Sequence, residues 1–433
     1  MNPDQEARVR AVDPRRSVIL QAPAGSGKTT VLVERLLVLL AQADTPEEIL
    51  AITFTRKAAA EMALRVAQVL QQPGPLAQAV RARSQARGWR LLENPHRLRI
   101  QTLDALNRAL ALQMPLAARG SGALGVLQQP QSAYRTAARR ALLDAQSEPM
   151  LRADVQRLFE RLENDFGRCE RLIAGMLEKR AHWLPHLVGE AVAHLATRVR
   201  DSLEAVVAAR LARARQLLPA ALLAEGFALG RASARQLQAR ASPAGLWCEF
   251  LDAADATMPS LRQWQALAAM ALTAGGSWRK RLDVRAGFGP EDPLLKSRGS
   301  DWVAGLGAQP GALELFNELR LLPDPELSAD ETEMLAVLAR LLGLAVAELD
   351  LVFAEWGRVD YPAIAAAARS ALGGVDEPTD LALRLDSRIR HILVDEFQDT
   401  SLEQTQLLTL LTAGWVPEDG RTLFLVGDPM QSI

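Results

Sequence analysis

The sequence predicts an α/β fold, a parallel sheet covered by helices on both faces and interrupted by a large, mainly α-helical insertion. Three observations lead there. Residues 17–105 alternate short, β-rich apolar runs with helical patterns. The same alternation returns between residues 391 and 427. Between these regions, residues 105–385 are dominated by Ala/Leu/Arg-rich stretches of helical periodicity, poor in β-branched residues. Short apolar strands separated by helices mark a parallel sheet buried on both faces. The economical division is therefore 1–104 and 386–433 as two parts of one α/β domain, with 105–385 inserted between them.

The elements follow in order. Ser17–Gln21 reads as a buried strand, and helical apolar spacing runs from Thr29 to Ala41. Ile49–Phe54 is a second strand, leading into a helix from about Lys57 to Gln72. Leu98–Leu103 is a third strand, again followed by a helix. Residues 133–160, 186–240 and 329–350 are expected to be helical, whereas 273–311, punctuated by Gly275-Gly276, Gly289-Pro290 and Pro310-Gly311, reads as loops. His391–Asp395 is a strand, a helix starts near Leu402, and Thr422–Gly427 is the last strand. No internal repeat stands out.

The chemistry is concentrated at two strand ends. Ala22-Pro23-Ala24-Gly25-Ser26-Gly27-Lys28-Thr29-Thr30 lies between the first strand and its helix, the setting a phosphate-binding loop requires. Gly25 and Gly27 let backbone N–H groups turn toward phosphate oxygens, and the helix N-terminus adds partial positive charge. Lys28 is expected to reach the β- and γ-phosphates of ATP, and the Thr29 hydroxyl to ligate Mg²⁺. Ala22 stands where such loops usually have a glycine, a mild departure because the position needs a small residue. At the second strand end, Asp395 and Glu396 follow an apolar run. Asp395 would help hold Mg²⁺ and Glu396 would polarise the attacking water. A solvated turn could look similar, but a parallel sheet brings both motifs to one crevice.

Composition narrows the class. The 433 residues are 49% hydrophobic, enough for two or three domains with a sizeable core. A net charge of −1 argues neither for nor against nucleic acid. Cys169 and Cys248 are far apart with no metal-ligand spacing, so neither a disulfide framework nor a zinc site is expected and a reducing cytoplasm fits. Met1–Arg10 is too polar for a signal sequence, and no apolar run is long enough to span a bilayer.

At this point a family emerges. Asp395-Glu-Phe-Gln-Asp-Thr400 resembles motif II of superfamily 1 DNA helicases, the UvrD/Rep/PcrA and RecB/AddA group. Ala51-Ile-Thr-Phe-Thr-Arg-Lys-Ala-Ala-Ala-Glu-Met62 is similar to their motif Ia, and Val426-Gly-Asp-Pro-Met-Gln-Ser-Ile433 to motif III. Gln5 fits the glutamine motif that reads adenine. The resemblance implies a RecA-like P-loop ATPase lobe with Lys28, Asp395, Glu396 and Gln431 in catalytic roles, Gln431 sensing the γ-phosphate. It implies that Gln398 and Asp399 position the nucleotide-side loop. It places Thr53, Phe54, Thr55, Lys57 and Thr102 toward single-stranded DNA, with Phe54 stacking a base and Lys57 meeting a phosphate. The alternative for Phe54 is plain core packing at a strand end, and Glu61 with Arg65 could be only a surface ion pair.

Thr102-Leu-Asp104 stands where many family members carry Thr-Phe-His or Thr-Ile-His. That departure, with the size of the insertion, points to the RecB/AddA-like branch (exodeoxyribonuclease V beta-type). The resemblance then implies an ATP-dependent 3′–5′ helicase of recombinational repair, acting on single-stranded and duplex DNA beside an exonuclease and a second nuclease or helicase chain. The alternative is a stand-alone UvrD-like repair helicase. Motors of this family need a second lobe whose motifs follow motif III. The sequence ends at Ile433, so the resemblance implies an N-terminal fragment or truncated product, weak or inactive alone; a further alternative for this chain is a nucleotide- and DNA-binding module without motor activity. Two arginine clusters, 81–99 with Trp89 and 210–240, could bind phosphates or decorate solvated helices with Trp89 packed inside.

Overall fold

Every short apolar run that reads as a strand becomes one. The protein is represented by a computed structural model that describes residues 3–23, 25–113, 125–187, 192–239, 249–250 and 260–431. The first part holds α1 (Pro3–Val12), β1 (Val18–Gln21), α2 (Lys28–Gln42), β2 (Ile49–Thr53), α3 (Arg56–Gln71), α4 (Pro75–Ala86), β3 (Arg99–Thr102) and α5 (Leu103–Gln113). Next come β4 (Gly125–Val126), α6 (Gln131–Asp144), α7 (Pro149–Arg161), α8 (Phe166–Glu178) and α9 (Arg180–Leu187). Helices α10 (Val192–Leu217), α11 (Ala220–Ala239), α12 (Leu261–Ala271), α13 (Pro293–Gly307) and α14 (Ala312–Leu321) follow. The last elements are α15 (Ala329–Trp356), β5 (Arg358–Val359), α16 (Tyr361–Leu372), α17 (Asp380–Arg388), β6 (His391–Val394), α18 (Leu402–Leu411) and β7 (Thr422–Gly427).

Five strands form one sheet in the order β1-β7-β6-β2-β3, every neighbour parallel. The two ends of the sequence are thus interleaved, with β6 and β7 lying between β1 and β2. Side-chain alternation builds a core on each face. Ile49, Ala51, Leu393, Phe424 and Val426 pack on one side with α2, α3 and Trp89. Leu50, Ile52, Ile392, Val394 and Leu425 pack on the other with α5, α16, α17 and α18. A parallel β-sheet core, flanked and interrupted by extensive helical regions, is the RecA-like arrangement with a helical insertion that the sequence predicts.

The chain divides into two compact units, residues 1–185 with 341–433, and residues 186–340. The first contains the sheet, the small parallel pair β4–β5 and helices α6 to α8. A buried ion pair ties this helical part together. Arg180 donates to both carboxylate oxygens of Asp360, and Tyr134 Oη donates to Asp360 Oδ2 at 2.6 Å. Asp360 also accepts from the Ala363 amide at 2.9 Å and so caps α16, which leaves none of its oxygens unsatisfied.

The second unit has its own aromatic core. Trp264 and Trp278 meet Phe316 edge-on, with ring centroids at 6.5 and 5.4 Å. Helix α13 lies within the stretch that reads as loops. It opens on Asp292, which accepts from the Leu295 amide at 2.9 Å, with Pro293 at the first helical position. Its interior Gly299 is a contact rather than a break, because a Cβ there would stand 2.8 Å from Phe288 Cε1. Among the described residues no helix is long and apolar enough to cross a membrane.

Candidate nucleotide and nucleic-acid site

Parallel strands end at one edge, and that edge carries the motif residues. Beyond β1 the Ala22 amide donates to the Gly427 carbonyl at 3.2 Å, extending the β1–β7 pairing by one step. The chain then turns, with the Ser26 amide on the Pro23 carbonyl at 3.3 Å. Gly25 and Gly27 have φ of +78° and +87°, a region that favours glycine. Gly27 is the N-cap of α2, so the loop runs directly into a helix N-terminus. Lys28 folds back, its Nζ donating to the Ala22 carbonyl at 2.9 Å. Thr29 is half-buried on the first turn, while Thr30 and Pro23 are exposed. Ala24 lies outside the described residues.

Two strands away, the Asp395 amide donates to the Ile52 carbonyl at 2.9 Å, carrying the β2–β6 ladder one residue past the strand. Burial and the neighbouring Glu396 push the Asp395 carboxyl above its usual range, opposed by the Glu396 amide, Lys28 and Arg65. A buried carboxylate next to a second acid, within the field of the phosphate-loop lysine, suits a divalent cation. Glu396 sits at φ +51°, a left-handed conformation that costs a non-glycine residue energy. Its carboxylate accepts from Gln398 Nε2 at 2.7 Å. The other end of that amide, Gln398 Oε1, accepts from the Asp428 amide at 3.0 Å. Gln398 thereby links the acidic strand end to the turn after β7. In that turn the Gln431 amide donates to the Asp428 carbonyl at 3.0 Å, and the Gln431 side chain is exposed.

The β2 and β3 ends lie side by side, with Thr53 in register with Thr102. Both threonines are buried and their hydroxyls have local partners. Thr53 Oγ1 donates to the Thr55 carbonyl at 3.1 Å, and Thr102 Oγ1 accepts from the Ala105 amide at 3.2 Å. Thr55 caps α3 by accepting from the Ala58 amide at 3.1 Å. Phe54 is 52% exposed, which decides against core packing, and Lys57 is exposed beside it. Glu61 and Arg65 form an exposed i,i+4 ion pair at 2.7 Å.

Gln5 is on α1, a helix that the polar N-terminal sequence does not suggest. With Arg8, Val9, Asp13, Arg16 and Glu34 it lines a cavity of about 800 Å³. The buried guanidinium of Arg35 fixes this helix to α2. It donates to the carbonyls of Ala11 at 2.6 Å, Asp13 at 3.0 Å and Arg16, and lies over the Phe424 ring at 4.7 Å. Arg35 is not among the sequence-predicted residues, since nothing local distinguishes it from other helical arginines.

Four arginines of the first cluster have partners within the protein, and its tryptophan is core. Trp89 is 2% exposed and belongs to the core. Arg97 pairs with both carboxylate oxygens of Glu47, at 2.8 and 3.1 Å. Arg83 and Arg87 share Asp44, while Arg81 donates to the Leu70 and Gln72 carbonyls. In the second cluster Arg210 and Arg213 approach Glu318, and Arg240 lies outside the described residues.

The chain is 26% identical to an ATP-dependent helicase/nuclease subunit of Heliobacterium modesticaldum, over 98% of its own length and 32% of that protein. Over a short segment, 16% of the chain, it is 48% identical to ATP-dependent DNA helicase PcrA of Bacillus subtilis and 46% identical to DNA helicase II of Salmonella typhimurium, covering 9% and 10% of those proteins. The chain spans about a third of the length of the first two helicase/nuclease relatives it matches. The profile of the UvrD/REP helicase N-terminal domain matches residues 1–200 and 321–433, well over half of the chain, which therefore belongs to that family.

Proposed function

We propose that the whole protein is an ATP- and Mg²⁺-dependent DNA helicase of the RecB/AddA-like branch, moving 3′ to 5′ in recombinational repair alongside an exonuclease. The observation that carries the reading is the meeting of the glycine loop, Lys28 and the Asp395–Glu396 pair at one sheet edge. Similarity across almost the whole chain to proteins named as helicase/nuclease subunits supports the branch, and the same name supports a companion chain. In domain terms, 1–104 and 386–433 would be the ATPase lobe and 105–385 the insertion, within which the compact unit 186–340 falls.

The chain's residues divide the work as follows. The amides of residues 25–29 receive phosphate oxygens, and Gln5 hydrogen-bonds adenine. Lys28 leaves the Ala22 carbonyl for the β- and γ-phosphates. Thr29 and Asp395 would hold Mg²⁺, which when bound neutralises charge on those phosphates. Glu396, oriented by Gln398, accepts a proton from the attacking water. Gln431 reports the γ-phosphate. Phe54, Thr55 and Lys57 face single-stranded DNA, with Thr53 and Thr102 shaping that surface from behind.

The test is steady-state ATP hydrolysis with and without single-stranded DNA, beside Lys28→Ala and Glu396→Gln. Turnover that rises with DNA and disappears in both variants is the expected result for the whole protein. Hydrolysis that persists in Lys28→Ala would sink the reading. The chain spans a third of its relatives' length, which favours a second reading for the chain alone, a nucleotide- and DNA-binding module without motor activity. Lys28-dependent binding without turnover would mark that case.

A further inference from the structure

We propose that Arg8 is a positioning residue for phosphate binding, holding the peptide between Ser26 and Gly27 from outside the loop so that the Gly27 N–H faces the phosphates. The proposal rests on the nucleotide reading above and assigns that site a residue the motifs do not mark. Arg8 lies three residues after Gln5 on α1, hence on the same helix face. Its Nη2 donates to the Ser26 carbonyl at 3.0 Å. Both terminal nitrogens of the guanidinium also stand 3.6 and 3.7 Å from where a Gly27 Cβ would be.

The consequence follows from the peptide plane. In a trans peptide the C=O of one residue and the N–H of the next point in opposite directions. A charged donor on the Ser26 carbonyl therefore commits the Gly27 N–H to the opposite side of the loop. Such a constraint is useful here because Gly25 and Gly27 flank Ser26 and both adopt positive φ, so the segment has little intrinsic stiffness. The support for Arg8 is firm, since Arg35 ties the C-terminal end of α1 to α2 independently. Arg8 itself is exposed, so its truncation is not expected to unfold the protein.

Arg8 also lines the cavity that contains Gln5, so the experiment must separate loop positioning from base reading. A fluorescent ATP analogue bound in the presence of Mg²⁺ is displaced by ATP, GTP or inorganic tripolyphosphate. The proteins compared are the wild type, Arg8→Ala, Arg8→Lys and Gln5→Ala. Arg8→Ala is expected to weaken all three competitors by the same factor, roughly tenfold, with an unchanged melting temperature. Arg8→Lys keeps the charge but loses the planar fork, and should restore only part of the affinity. Gln5→Ala should weaken ATP and leave tripolyphosphate unchanged. Unchanged tripolyphosphate binding in Arg8→Ala overturns the proposal, as does complete restoration by lysine, which would reduce Arg8 to a diffuse charge. If the wild type shows no Lys28-dependent binding, the nucleotide reading itself fails, an outcome distinct from either of these.

Discussion

The sheet unit and the 186–340 unit are built by the same packing rules but carry different kinds of information. In the first, several side chains have partners that packing alone would not demand. Lys28 reaches the Ala22 carbonyl, Gln398 bridges Glu396 and Asp428, and Glu396 holds a strained backbone. In the second, the distinguishing contacts are between apolar groups. Gly226 and Gly230 on α11 admit Trp302 and Phe250 to within 3 Å of their missing Cβ positions, and Trp264 packs against Phe316. The family profile follows the same division, skipping residues 201–320. Residues that must meet a ligand are confined to particular types, whereas a core accepts many solutions of equal volume.

That contrast can be broken by exchanging the effects of mutations. Trp264 is fully buried in the second unit. Trp264→Ala should cost about 3–5 kcal/mol of that unit's stability in urea unfolding, with Mg·ATP affinity unchanged below the transition. A loss of nucleotide affinity under conditions where the variant remains folded would show that the two units do not divide stability from binding.

Acid should act on the sheet unit. His391, at the start of β6, has its Nδ1 2.8 Å from Thr422 Oγ1, and burial, then Arg35 and Arg390, lowers its pKa to about 4. The unfolded chain, at an ordinary value of about 6.5, takes up the proton first as pH falls. The stability that His391 contributes is present above about pH 6.5 and is lost as pH falls toward 4, by up to about 3 kcal/mol. Urea unfolding of the wild type and His391→Gln at pH 7.5 and 4.5 checks the sign. Equal acid sensitivity in the two proteins would exclude His391 as the cause.

The smallest expected effect is on binding alone. Phe54 is half exposed, so Phe54→Ala should leave the melting temperature unchanged and weaken single-stranded DNA binding by roughly tenfold. A drop in melting temperature with unchanged DNA affinity would make Phe54 a packing residue.

The sequence is most legible where strand, turn and helix signals coincide. The glycine loop is bracketed by a four-residue strand and an apolar helix, and the structure places its boundaries within a residue or two of those read from the pattern. The α1 helix escapes such a reading because its residues are mainly polar and its anchor, Arg35, lies on another element. Helix α13 escapes it because the surrounding glycines and prolines outweigh the Asp292-Pro293 start signal, and because Gly299 resembles a breaker until Phe288 is seen against it. Trp89 and its arginines illustrate the reverse limit. Charge beside an aromatic residue suggests nucleic acid, but pairing with Glu47 and Asp44 depends on contacts about 40 to 50 residues away that local sequence does not reveal.

The most direct test is equilibrium binding of Mg·ATP to the 433-residue chain and to Lys28→Ala, with melting temperatures measured in parallel. Saturable binding to the chain, loss of roughly a hundredfold or more in the variant, and equal melting temperatures are expected, since Lys28 would supply a charge-assisted phosphate contact and among the described residues makes a single hydrogen bond, to the Ala22 carbonyl. Equal affinity in the two proteins would contradict the assignment of this sheet edge as the nucleotide site.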